Sequence, residues 1–230
     1  MDSWQSERKI LWTIVQEMVA RGLVHGSNGN ASLRLPKDER GDLIMITPSQ
    51  IPYHQLIPDD LSVIDIDGSP VSERHSPSSE TSIHLRVYEE RPDVNSVIHT
   101  HSTFASVAAV TGLEIPPIVD ETIISIGGTV KVATYGFPAT EELAENVIQA
   151  LGQRNAVLLR NHGLLGVGQS AYHALDICDL VERTAQIFTY AQPLGQVNHL
   201  PDKAITIEKE LFKMRKASNL ADGGHLGNYT

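Results

Sequence analysis

The residues best suited to chemistry in this chain are two histidines separated by one threonine, His99-Thr100-His101, placed after the apolar pair Val97-Ile98. That pair predicts a buried β-strand, and alternate residues of a strand project to one side, so both imidazoles share a face. Residues two apart on a strand have Cα atoms roughly 6.6 Å apart, a span that two imidazoles can close onto one cation at about 2.0 Å from each nitrogen. Two ligands hold a metal poorly, and an isolated His-x-His also suits a strand end with solvated or hydrogen-bonded rings. A third ligand is therefore needed. His162 is the natural candidate, because it follows the apolar run 156–160 and precedes Gly163, which permits close approach. A metal held by His99, His101 and His162 keeps a position open and acts as a Lewis acid on a carbonyl or enediolate oxygen. Glu80 could be its general base, or a fourth ligand that substrate displaces, although the helix dipole alone also favours an acid at a helix start.

Two further stretches suit an anion. Residues 25–32, which include Gly29 and Asn30, are rich in Gly, Asn and Ser; such a loop can expose backbone N–H groups, and equally can be a plain tight turn. Ser76 before Pro77 predicts an N-cap with proline at the first helical position, which would put Ser78, Ser79 and Glu80 in the first turn, with His84 one turn on along the same face. Free N–H groups and hydroxyls there could grip an anion.

Around these residues the hydrophobic pattern predicts the elements that must position them. A helix of about four turns covers the region of Ile10 to Val19, and strands fall at 32–35, 43–46, 61–66, 130–134, 156–160 and 164–168. Asp67-Gly68 signals a hairpin, and further helices are expected at 77–88, 104–110, 140–151, 171–190 and 205–216. The paired acids Asp120-Glu121 lie between a proline-interrupted stretch and Gly127-Gly128. With 230 residues, one large domain over 1–216 is expected, followed by a flexible tail at 217–230 that has little to bury.

Composition narrows the partners. The chain is 41% hydrophobic and 20% charged, and it contains no apolar run near the ~20 residues needed to cross a bilayer. A net charge of −10 argues against nucleic-acid or anionic-membrane binding, both of which rest on basic surface. Its one cysteine, Cys178, excludes an intrachain disulfide, so a cytoplasmic location is expected.

Taken together, Gly29-Asn30, Ser78-Ser79-Glu80, His99-x-His101 and Asn161-His162-Gly163 occur in an order that resembles the class II aldolase/adducin-head family over about residues 8–215. The resemblance implies a single α/β domain with a central, largely antiparallel sheet flanked by helices, a three-layer fold, commonly assembled as a homotetramer with active sites near subunit interfaces. It implies zinc, with manganese or cobalt as alternatives, on His99, His101 and His162, and Glu80 as the acid/base. A phosphate cradle of Gly29, Asn30, Ser49, Ser78 and Ser79 is implied for a phosphorylated small-sugar substrate. The activity implied is cleavage of a ketose 1-phosphate to dihydroxyacetone phosphate and an aldehyde through a metal-stabilised enediolate. A sugar-phosphate 4-epimerase, a dehydratase, a decarboxylase and a non-catalytic adducin-head-like module remain alternatives. The chain departs from the aldolase pattern at Ser49-Gln50, where Thr-Gly is usual, and at Asp120-Glu121, where a tyrosine serves the second proton transfer. Either carboxylate could replace that tyrosine, and Tyr229 is the remaining candidate for a second tyrosine near the C-terminus.

Overall fold

A computed structural model describes residues 4–37 and 39–221. Its strands are β1 (Asn30–Arg34), β2 (Leu43–Ile46), β3 (Ser62–Asp65), β4 (Pro70–Ser72), β5 (Ser96–Thr100), β6 (Lys131–Ala133), β7 (Ala156–Leu159) and β8 (Gly163–Gly168). They form one sheet in the order β4-β3-β2-β1-β5-β8-β7-β6, antiparallel at every junction except the parallel β6–β7 edge. The helices are α1 (Gln5–Ala20), α2 (Thr81–Glu90), α3 (Thr103–Thr111), α4 (Asp120–Ile126), α5 (Glu141–Leu151), α6 (Ala171–Ala191) and α7 (Asp202–Ala221). None of the described helices is long and apolar enough to cross a membrane.

The sheet is covered on both faces, and the two-residue period of its strands divides the core accordingly. On one side Leu33, Met45, Ile98, Leu158 and Leu164 meet α1, α3 and α6. On the other, Ile44, Ile64, Val97, Val157 and Leu165 meet α2 and α5. Adjacent residues such as Val97 and Ile98 are thus buried in opposite layers, which is why the strand sequences are continuously apolar rather than alternating. This is the expected three-layer α/β architecture with a largely antiparallel sheet.

Helix α6 lies directly on the backbone of β8. A side chain at Gly166 would place its Cβ 2.5 Å from Cys178 Sγ, and one at Gly168 would come within 2.5 Å of the Ala174 nitrogen. Ser170 starts α6 by accepting the His173 backbone N–H at 3.1 Å. Helix α6, which contributes Ala174, Leu175, Ile177, Cys178 and Val181 to its layer of the core, is therefore seated by two glycines and one cap.

Several expected boundaries move. Residues 76–80 do not open α2, which begins at Thr81; Pro77 instead forms an antiparallel bridge with Pro48. Backbone hydrogen bonds to a distant loop outweigh the local N-cap and proline signal there. The Asp120-Glu121 pair opens α4, a helix the sequence pattern does not show because only seven residues separate Val119 from Gly127. Gly127 terminates it at φ 97°. Helix α7 continues to Ala221, past the expected domain boundary at 216, and the rest of the expected tail, including Tyr229, lies outside the described residues.

Filling the space at the α6–β8 contact tests this packing. Gly166→Val should destabilise the protein by about 1–3 kcal/mol through overpacking, read as a lower midpoint of denaturant unfolding with an unchanged slope.

Candidate active site

Strand β5 is the centre of the site because it is hydrogen-bonded on both sides, to β1 and to β8. This pairing sets His99 opposite Asn30 on one neighbour and opposite Leu165 on the other. His99 is buried, and its Nδ1 donates to the Leu164 carbonyl at 2.9 Å, which leaves the lone pair on Nε2. His101 follows the end of the strand and directs its own Nε2 to 2.9 Å from that of His99. His162 sits in the tight turn joining β7 to β8, and its Nε2 lies 3.3 Å from His99 Nε2. The three expected ligands converge, with ligand atoms all within 4.8 Å of one another.

Backbone constraints deliver each ring. Asn161 adopts φ 57°, a left-handed conformation that asparagine tolerates better than most residues, and it turns the chain so that His162 faces back toward β5. Gly163 has no room for a side chain, since a Cβ would lie 2.2 Å from the Thr100 carbonyl oxygen. Gly29, at φ 75°, is confined in the same way by the His99 carbonyl oxygen at 2.6 Å. Glu182 on α6 holds the chain just beyond His101: its two carboxylate oxygens accept the Phe104 and Ala105 backbone N–H groups, each at 2.8 Å. No local sequence signal marks Glu182, because its partner is the start of a helix nearly eighty residues earlier in the chain.

Glu80, immediately before α2, completes the cluster. Its Oε2 lies 3.4 Å from His99 Nε2 and its Oε1 3.3 Å from His162 Nε2. Oε2 also accepts from Asn30 Nδ2 at 2.9 Å, while the buried Oε1 has no hydrogen-bond partner. Burial is the largest cause that pushes both His99 and His101 below the usual histidine range, followed in each by the neighbouring His162. Neutral rings so close together direct lone pairs at one point, and a single shared proton could satisfy only two of them. Three imidazole nitrogens with an unsatisfied carboxylate oxygen beside them are a donor set that fits a divalent transition metal.

The expected phosphate residues divide into two groups. The Pro48–Pro77 bridge, with Ser49 N–H donating to Ser76 O at 2.9 Å and Ser78 N–H to Thr47 O at 3.0 Å, brings Ser49 and Ser78 side by side. Those two amides are therefore already used, so hydroxyls are what this pair can offer an anion; Ser79, next to it, is exposed. Gln50 keeps φ 63°, the left-handed backbone that a glycine would adopt at this position. The Asn30 side chain is committed elsewhere, to Glu80 and to His84.

Asp120 and Glu121 stand apart. Both are exposed at the start of α4, where Glu121 faces Arg183 at 3.6 Å and Asp120 adjoins Glu208. Among the described residues no hydrogen bond or ion pair joins either acid to the histidine cluster. Burial, reinforced by Asp120, pushes the Glu208 carboxyl above its usual range.

Two outcomes test the site. His99→Ala, His101→Ala and His162→Ala should each lower the content of bound divalent metal, measured by elemental analysis, and full occupancy in the triple variant would refute the ligand set. Acid sensitivity follows from His84, which burial, and secondly the His99 ring, push from 6.5 down to about 3. The unfolded chain takes up that proton near pH 6.5 while the folded chain refuses it, so this contribution is complete above pH 6.5 and lost as the pH falls toward about 3. Denaturant midpoints measured between pH 7.5 and pH 4 should fall steadily below pH 6.5.

The comparisons with known proteins agree with this geometry. Residues 9–189 match the family model described as class II aldolase and adducin N-terminal domain. A 5-deoxy-D-ribulose 1-phosphate aldolase of Bacillus thuringiensis serovar kurstaki is 33% identical over 198 residues, covering 86% of this chain and 91% of that protein. The L-fuculose phosphate aldolase of Escherichia coli K12 is 34% identical over 207 residues, covering 90% of this chain and 93% of its own length. A solved L-fuculose 1-phosphate aldolase structure superimposes with a TM-score of 0.83 at 35% identity, covering 93% of this chain and 97% of that one. With the histidine cluster in place and most of its length matched, this chain belongs to the class II aldolase and adducin N-terminal domain family.

Proposed function

We propose that the protein is a zinc-dependent sugar-phosphate aldolase that cleaves a ketose 1-phosphate to dihydroxyacetone phosphate and an aldehyde. The observation that carries this reading is the Glu80 carboxylate, held by Asn30 against His99 and His162 with one oxygen unsatisfied. A divalent cation held by His99, His101 and His162 would supply Lewis-acid stabilisation for the negative charge that develops on substrate oxygens as the carbon–carbon bond breaks. The activities for which the relatives are named, on 5-deoxyribulose and fuculose phosphates, support a short ketose 1-phosphate as substrate.

The protein's own residues must move two protons. In the condensation direction Glu80, as carboxylate, takes a proton from the carbon beside the ketone of dihydroxyacetone phosphate; in cleavage it returns one there. The second proton leaves the hydroxyl that becomes the aldehyde in cleavage, and returns in condensation. We assign that transfer to Asp120 or Glu121. Because both acids are exposed on α4, away from the cluster of their own chain, this assignment requires that α4 serve the site of a neighbouring subunit, as in the homotetramer that the family resemblance implies. The hydroxyls of Ser49, Ser78 and Ser79, with the loop at Gly29, would hold the phosphate.

Zinc-loaded protein should release dihydroxyacetone phosphate from fuculose 1-phosphate or 5-deoxyribulose 1-phosphate. Conversion of ribulose 5-phosphate to its 4-epimer, with no cleavage of either ketose 1-phosphate, would instead establish the epimerase. Glu80→Gln should reduce kcat by about 10²–10⁴-fold. Mixing that variant with an Asp120→Asn/Glu121→Gln variant under subunit exchange should restore part of the activity, and a mixture as inactive as its parents would remove the intersubunit assignment.

A further inference from the structure

Beneath Glu80 lies a buried run of polar side chains that no step above uses. Glu80, His84 and Tyr88 recur at intervals of four along the start and body of α2, so they share one face. Asn30 and Ser32 are two apart on β1 and share the facing side of the sheet. The two sets interdigitate. Asn30 Nδ2 donates to Glu80 Oε2 at 2.9 Å, Asn30 Oδ1 meets His84 Nε2, His84 Nδ1 lies 2.6 Å from Ser32 Oγ, and Ser32 Oγ lies 2.7 Å from the Tyr88 hydroxyl. His84 and Ser32 are fully buried, and Asn30 and Tyr88 nearly so.

Donor chemistry orders this run. A carboxylate only accepts, so the Asn30 amide nitrogen must face Glu80, which turns the amide oxygen toward His84. His84 must then carry its proton on Nε2 and accept at Nδ1. Ser32 must donate to that nitrogen, and its oxygen is left to accept from Tyr88. Every link follows from the charge at one end. The far end is fixed by Arg34, which stacks 4.9 Å from the Tyr88 ring centroid and donates to the Tyr88 carbonyl at 2.9 Å.

We propose that His84 is a positioning residue for Glu80: the one-way relay Tyr88–Ser32–His84 locks the Asn30 carboxamide so that its N–H faces the Glu80 carboxylate and holds it in the orientation needed for proton transfer. Without His84 in this tautomer the amide could rotate by half a turn, set its oxygen against the carboxylate and swing Glu80 away. The carboxylate's catalytic role rests on the aldolase reading above, whereas the tautomer of His84 does not.

The decisive measurement is long-range proton–nitrogen NMR of the full-length, zinc-loaded protein labelled in histidine, with the His84 signals assigned by their loss in His84→Gln. Protonation at Nε2 alone is expected; a proton on Nδ1 would overturn the relay. Ser32→Ala and Tyr88→Phe leave every histidine and Glu80 in place, and each should lower kcat about tenfold with KM and zinc content within twofold. His84→Gln, which keeps an N–H donor toward Asn30, should retain more activity than His84→Leu. Full kcat in a folded, zinc-loaded Ser32→Ala variant would overturn the proposal, as would equal losses in His84→Gln and His84→Leu. If the wild-type protein cleaves no ketose phosphate yet His84 is protonated at Nε2, the aldolase reading fails and the relay stands.

Discussion

The site depends on the double pairing of β5. Both edges of this strand are used, by β1 on one side and β8 on the other, and a slip of one residue against either would turn His99 from the α2 layer to the α6 layer. Because the register is held from both sides, three consequences arrive together: His99 finds the Leu164 carbonyl, Asn30 stands opposite His99, and the β7–β8 turn lies beside the strand end with His162 in it. Gly29 and Gly163 are needed because backbone approaches backbone on each flank of His99, at separations a Cβ would close.

The cost of this arrangement is electrostatic. Burial withholds protons from His84 and His99, and the cluster brings lone pairs and a carboxylate oxygen together in a poorly solvated space. Unpaired polar groups in such a place oppose folding, so a bound cation would stabilise the fold as well as supply chemistry. Rigid supports surround the cluster for the same reason: Glu182 restrains the chain after His101, and α6, which carries it, is seated on glycine backbone of β8.

The polar residues around the cluster serve different neighbours, although several share a loop in the sequence. Gly29 shapes backbone, Asn30 orients Glu80, and Ser49 and Ser78 are joined by a bridge that consumes their amides. Gln50 holds a left-handed backbone, a conformation that ordinarily favours glycine, at an exposed corner of this loop.

Much of this was legible in the sequence. Short apolar runs identified nearly all strands and helical spacing the long helices, the spacing of His99 and His101 set both rings on one face, and Gly163 marked a close approach, because each of these is decided among consecutive residues. Convergence with His162, the restraint by Glu182, the bridge that keeps residues 76–80 out of α2, and the location of Asp120 and Glu121 on a separate short helix were decided only by tertiary structure. Each of those depends on which strand pairs with which and in what register. Pairing is settled by burial and hydrogen bonding summed over segments far apart in the chain, and no local window contains that sum.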